Sequence, residues 1–132
     1  MSKAEKAAAC MENKARMFDS FHVELPDAHF VVMSGLLLPG RSRCTSLTCQ
    51  INSELEVYCE FHEEYMTFVD AEAMTYDGST YRSELFIADG IHLNRDGQRL
   101  WCRDYIAPQI EMLIEQMDTN NLLKYNHVGS IL

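Results

Sequence analysis

His29–Leu37 (HFVVMSGLL) constrains this chain more than any other stretch. It is a short, nearly continuous apolar run with β-branched and aromatic residues, and Pro39-Gly40 closes it soon after. A strand with one wet face alternates apolar and polar residues. A continuous run suits a strand covered on both faces, as in a parallel sheet. A parallel neighbour needs a crossover, and the following residues form one. Leu47, Ile51, Leu55, Tyr58 and Phe61 recur at helical spacing, which predicts an amphipathic helix over about Thr45–Glu63. Met66-Thr67-Phe68-Val69-Asp70 then reads as a second strand.

Helices are predicted at both ends. Ser2-Lys3-Ala4-Glu5 has the form of a capping box, opening a helix that runs to about Val23. Leu25-Pro26-Asp27 ends it. Ala71–Glu84 is a polar excursion with a turn at Asp77-Gly78-Ser79. Asn94 is expected to N-cap a final helix. Ile106, Ile110, Leu113 and Met117 mark its buried stripe, and Pro108 marks a kink or restart. Trp101 and Tyr105 are expected to pack this helix on the sheet. Met11, Met17, Met33, Met66, Met74, Met112 and Met117 are expected to fill the core. Residues 119–132 lack helical periodicity and read as a flexible tail.

The order helix–strand–helix–strand–helix predicts right-handed α/β crossovers and a parallel sheet. Two strands make that sheet thin, and one edge would expose an apolar strand. The chain is therefore expected to be a portion of a larger α/β unit, or to pair with another chain.

Composition limits the partners. With 132 residues and 47% hydrophobic content, the chain reads as a single globular domain. Twenty acidic residues against eleven Lys and Arg give a formal net charge of −9. That balance disfavours nucleic-acid backbones and anionic membranes. The longest apolar candidate, Phe30–Leu38, contains Ser34 and Gly35 and is too short to span a bilayer. Met1–Arg16 is charged and Ala-rich, without the apolar stretch of a secretory signal. Cys10, Cys44, Cys49, Cys59 and Cys102 are an odd, scattered set, expected to be reduced and mostly buried. Together these features predict a cytoplasmic protein with no membrane span and no nucleic-acid partner.

The chemistry concentrates in Phe86–Gly97, where an apolar lead-in runs into Asp-x-x-His and then a helix start. Asp89 and His92, three residues apart in a turn, can form an orienter–base pair. An unperturbed imidazole titrates at about 6.5, close to working pH. Gly90 permits the tight turn between them. No nucleophile elbow of the G-x-S-x-G type accompanies the pair. Ser34 and Ser79 are the substitute nucleophiles, although a strand-end serine and a turn serine are the plainer readings. Cys44 and Cys102 have no activating partner in sequence. Cys59-x-x-His62, with Cys44 and Cys49 upstream, matches no standard zinc spacing, so no metal is expected. Glu60, Glu63, Glu64, Asp70 and Glu72 read as a solvated acidic region, with Asp70 bonding loop backbone.

Asp89-Gly90-Ile91-His92-Leu93-Asn94, followed by Gly97, Leu100 and Trp101, resembles the closing block of the SGNH hydrolases, or GDSL-type esterases and lipases. Leu25-Pro26-Asp27-Ala28, Pro39, Arg43, Asn52 and Phe68-Val69-Asp70 resemble one branch of that family. The resemblance covers about residues 2–117. It implies a three-layer, flavodoxin-like α/β fold. Here the fold would be incomplete, with a short parallel sheet flanked by helices over residues 1–118. It also implies acyl-ester hydrolysis by a Ser-His-Asp mechanism, without metal or cofactor, in which His92 is the base and Asp89 its orienter.

The family's nucleophile is the serine of an early Gly-Asp-Ser motif, and its oxyanion donors are a glycine and an asparagine from two further early blocks. None of these blocks occurs in this sequence. The chain thus resembles the C-terminal portion of such a domain, without its first three strands. It is expected to be inactive alone and to take a small-molecule ester only when completed. Its expected partner is the missing N-terminal half or a second copy. The other reading is a non-catalytic α/β interaction module that pairs with itself or a partner.

Overall fold

The computed structural model describes the backbone of residues 1–131 and the side chains of residues 1–122. The chain is mixed α/β and mostly helical. Helix α1 spans Lys3–Glu24, strand β1 Phe30–Met33, helix α2 Thr45–Phe61 and strand β2 Met66–Val69. A single turn, α3, follows at Glu72–Thr75, then α4 at Arg95–Trp101 and α5 at Ala107–Ile131. Tight 3-10 turns occupy Pro39–Cys44 and Ser83–Leu85.

Local chemistry explains the helix starts. Ser2 Oγ accepts from the Glu5 amide at 3.1 Å, and Glu5 Oε2 accepts from the Ser2 amide at 2.9 Å. The capping box is complete, satisfying donors that the first turn leaves free. Asn94 caps α4 by accepting from the Gly97 amide at 2.9 Å.

β1 and β2 pair in parallel, with Phe30 opposite Met66 and Met33 opposite Val69. β1 is shorter than the apolar run that contains it, because the chain leaves the sheet at Ser34. Phe18 of α1, Leu55 and Cys59 of α2, Val32 of β1 and Met66 of β2 form one buried cluster. This cluster seats α1 and α2 on the sheet. A second buried cluster holds Met74, Leu85 and Phe86, packed by Leu36, Leu38, Leu93, Leu100, Trp101 and Tyr105. Trp101 and Tyr105 therefore pack on loop residues around Phe86, and not on the strands as expected. The second cluster ties the segment leaving β1 to the segment entering α4.

Several expected core positions face solvent. Phe61 is 80% exposed at the end of α2. In α5, Ile110 and Met117 are 44% and 47% exposed, and Met112 is exposed as well. Met17 of α1 is also on the surface. The apolar spacing in α5 needs a surface to bury against, and a sheet of two short strands is too narrow to provide it. Only Cys59 of the five thiols is buried, and Cys102 is exposed.

The junction of α4 and α5 is a π turn over Cys102–Ile106, in which the Ala107 amide reaches back to the Cys102 carbonyl. Pro108 follows directly. Proline lacks an amide donor and crowds the carbonyl four residues earlier, and a widened turn relieves both problems. The backbone stays helical through Ile131, although the sequence lacks helical periodicity from 119 and reads there as a flexible tail. The final residue of that segment, Leu132, lies outside the described residues. Among the described residues, no helix is long and apolar enough to cross a membrane.

Candidate active site at the Asp89–His92 turn

The Asp89–His92 turn is held from within and from one side. Inside it, the Gly90 amide donates to the Ile87 carbonyl (3.0 Å) and the Ile87 amide to the His92 carbonyl (2.9 Å). Gly90 has φ +66°, a left-handed conformation that glycine adopts without steric cost. On the α4 side, the Asn94 amide donates to the Leu85 carbonyl at 2.8 Å, and Asn94 Nδ2 to the Glu84 carbonyl at 2.7 Å. Asn94 thus anchors the turn as well as capping the helix.

Asp89 spends both carboxylate oxygens locally. Oδ1 accepts from the amides of Ile91 (2.8 Å) and His92 (3.1 Å). Oδ2 lies 2.5 Å from His92 Nδ1. These bonds, led by the one to His92, hold the Asp89 carboxyl down to about 2. An ionised carboxylate only accepts, so His92 Nδ1 must carry the proton of this bond. In the neutral ring the lone pair then sits on Nε2, the atom a general base uses. The His92 side chain is 72% exposed and that of Asp89 is 38% exposed. Pro39, Gly40, Ser83 and Phe86 line, with Asp89 and Gly90, an open cleft of about 420 Å³ beside the pair.

Searches against protein-family models, curated proteins and solved structures found no match to this chain.

Neither candidate serine is hydrogen-bonded to the imidazole. Ser34 is buried where β1 ends, and its Oγ accepts from the Ala71 amide at 2.9 Å. Ser79 is exposed, and its amide and hydroxyl both donate to Asp77 Oδ1 in a turn. Asp70 bonds loop backbone, accepting from the Glu72 amide at 2.9 Å. Burial, followed by the Glu56 charge, pushes the Cys59 thiol up to about 11. His62 packs at a tilt against Tyr58 and Tyr65. Among the described residues, no group of three His, Cys, Asp or Glu side chains is placed to hold a metal ion.

Two supporting contacts were not predicted, although Asn52 is among the residues that carry the resemblance. The buried Asn52 accepts from the Gly35 amide (2.8 Å) and donates to the Gly35 carbonyl (2.9 Å). It fixes the backbone just past β1 as a neighbouring strand would. Gly40 donates its amide to the Gly90 carbonyl at 2.8 Å, joining the loop after β1 to the Asp89–His92 turn. Both contacts cross long sequence separations, so residue spacing does not announce them.

Proposed function

We propose that this chain is the base-bearing part of an SGNH-type ester hydrolase, with His92 as general base and Asp89 as its orienter. The observation that carries the reading is the 2.5 Å bond from His92 Nδ1 to a carboxylate whose other oxygen is held by two amides. This arrangement selects the tautomer with a free Nε2 and leaves that nitrogen open for a substrate-side partner. The finer fold proposed is the three-layer, flavodoxin-like one. The open side of β1 would receive the remaining strands.

The reaction follows from the pair. A serine from a Gly-Asp-Ser block, absent from these 132 residues, gives its proton to His92 Nε2 and attacks the ester carbonyl. Asp89 stabilises the imidazolium. His92 then passes the proton to the leaving alcohol, and water cleaves the acyl-serine by the same route in reverse.

The test is hydrolysis of a short-chain chromogenic ester by the chain alone and with a Gly-Asp-Ser-bearing N-terminal half of an SGNH domain. Turnover should require the added half and fall about a thousandfold or more in His92→Ala. Turnover by the chain alone, abolished by His92→Ala, would refute its incompleteness. The DNA immediately upstream is an independent check: an in-frame Gly-Asp-Ser segment supports the reading, and a stop codon directly before Met1 counts against it.

The second reading is a non-catalytic module that pairs through β1. The exposed Phe21, which packs against Phe30 of that strand, favours it. Esterase complementation separates the two readings, because a pairing module gains no turnover from the added half.

A further inference from the structure

We propose that Gly40 is a positioning residue for the Asp89–His92 pair, clamping the turn from outside through backbone contact. The proposal rests on the reading of Asp89–His92 as an acid–base pair and adds the element that holds it in place.

The contact is too close for any side chain. A Cβ on Gly40 would lie 2.4 Å from the Asp89 carbonyl oxygen and 3.0 Å from the Gly90 carbonyl carbon and oxygen. From the other side, a Cβ on Gly90 would lie 2.8 Å from the Gly40 nitrogen. Glycines at both positions let the two backbones meet, and the Gly40 amide bonds the Gly90 carbonyl at 2.8 Å.

The clamp stands on firm ground. The Arg41 amide closes back on the Leu38 carbonyl at 3.0 Å, and Leu38 packs on the Met74–Leu85–Phe86 cluster. Farther back, Asn52 pins Gly35 through both of its backbone groups. Ile87, Ala88 and Asp89 are all exposed, so side-chain packing does not hold the outer side of the turn. The Gly40 contact holds the Asp89–Gly90 peptide in the orientation from which Asp89 Oδ1 reaches the Ile91 and His92 amides and Oδ2 reaches His92 Nδ1. The Asp89 carboxylate and the His92 ring follow that peptide. A displacement of about 1 Å in such a group can cost about a hundredfold in rate.

The experiment follows the Asp89 carboxyl by carbon NMR across acid pH in the wild type, Gly40→Ala and Gly78→Ala. Gly78, unlike Gly40, has a positive φ, and a Cβ there would meet nothing within 4 Å, so it controls for loss of a glycine away from the clamp. The wild-type carboxyl should titrate at about 2. In Gly40→Ala it should move up towards the ordinary 3.8, while Gly78→Ala leaves it in place. A folded Gly40→Ala protein with an unmoved Asp89 overturns the clamp and leaves the pair standing. A wild-type Asp89 that titrates at 3.8 refutes the pair, and the clamp falls with it. Should Gly40→Ala fail to fold, scalar coupling across the hydrogen bond from Gly40 nitrogen to the Gly90 carbonyl carbon decides in the wild type. Its presence supports the clamp, and its absence overturns it.

Discussion

Asp89 carries the acid sensitivity expected of this site. Its carboxyl is held to about 2 in the folded chain, against 3.8 for the ordinary group. The unfolded chain therefore binds more protons between those values, and stability must rise with pH across that window. The contribution is fully present above 3.8 and is lost as pH falls through about 2. Asp77, Glu84 and Asp104, also lowered by hydrogen bonds, act in the same direction. Thermal melts of the wild type and Asp89→Asn between about pH 2 and 5 check this. The variant should show a shallower rise, and parallel curves would mean that Asp89 is not held. The pair itself was legible in the sequence, because three residues in a turn bring the two side chains together whatever surrounds them. Its Asn94 anchor was half legible. The cap at Gly97 follows from a local rule, whereas the bond to the Glu84 carbonyl depends on a loop.

Two asparagine and serine contacts rank the elements by what they hold. Ser2 caps an exposed helix end, and Ser2→Ala should cost about 1 kcal/mol. Asn52 fills both backbone groups of Gly35 from within α2, and Asn52→Ala leaves an amide and a carbonyl without partners. At about 0.5–1.5 kcal/mol for each hydrogen bond lost, that variant should lose about twice as much as Ser2→Ala. Urea melts of both variants give the comparison, and equal losses would show that water replaces Asn52 at the exposed Gly35. The elements themselves were largely readable, since capping, helical spacing and the apolar runs are local. Phe61, and Ile110 and Met117 of the last helix's stripe, were misread for one reason, while Ile106 and Leu113 are partly buried. Periodicity reports which residues share a face, and burial needs something for that face to meet. Residues 119–131 show the converse, a helix that continues without a strong apolar pattern.

At the scale of the molecule, the sheet ends at β1. Ser34 and Phe30 amides donate to β2 carbonyls and the adjoining loop, so alternation turns the Val31 and Met33 amides to the open side. Phe18, Phe21 and Phe30 line a cleft of about 400 Å³ there. An uncovered apolar edge favours association. The 15.2 kDa chain should elute with a mass above that of a monomer in light scattering, and Val31→Lys should shift it towards the monomer. A wild-type monomer with a sharp, cooperative melt would show instead that two strands suffice.

The sequence by itself determined the order of the elements, the parallel pairing, the caps at Ser2 and Asn94, and the Asp89–His92 pair. All rest on spacings of a few residues, or on the single crossover between two apolar runs. Only the tertiary structure decided that Asn52 fastens Gly35, that Gly40 meets Gly90, and that much of α5 is exposed among its described residues. These depend on segments distant in sequence meeting in space, and on how much surface a short sheet can offer. Composition and periodicity record neither.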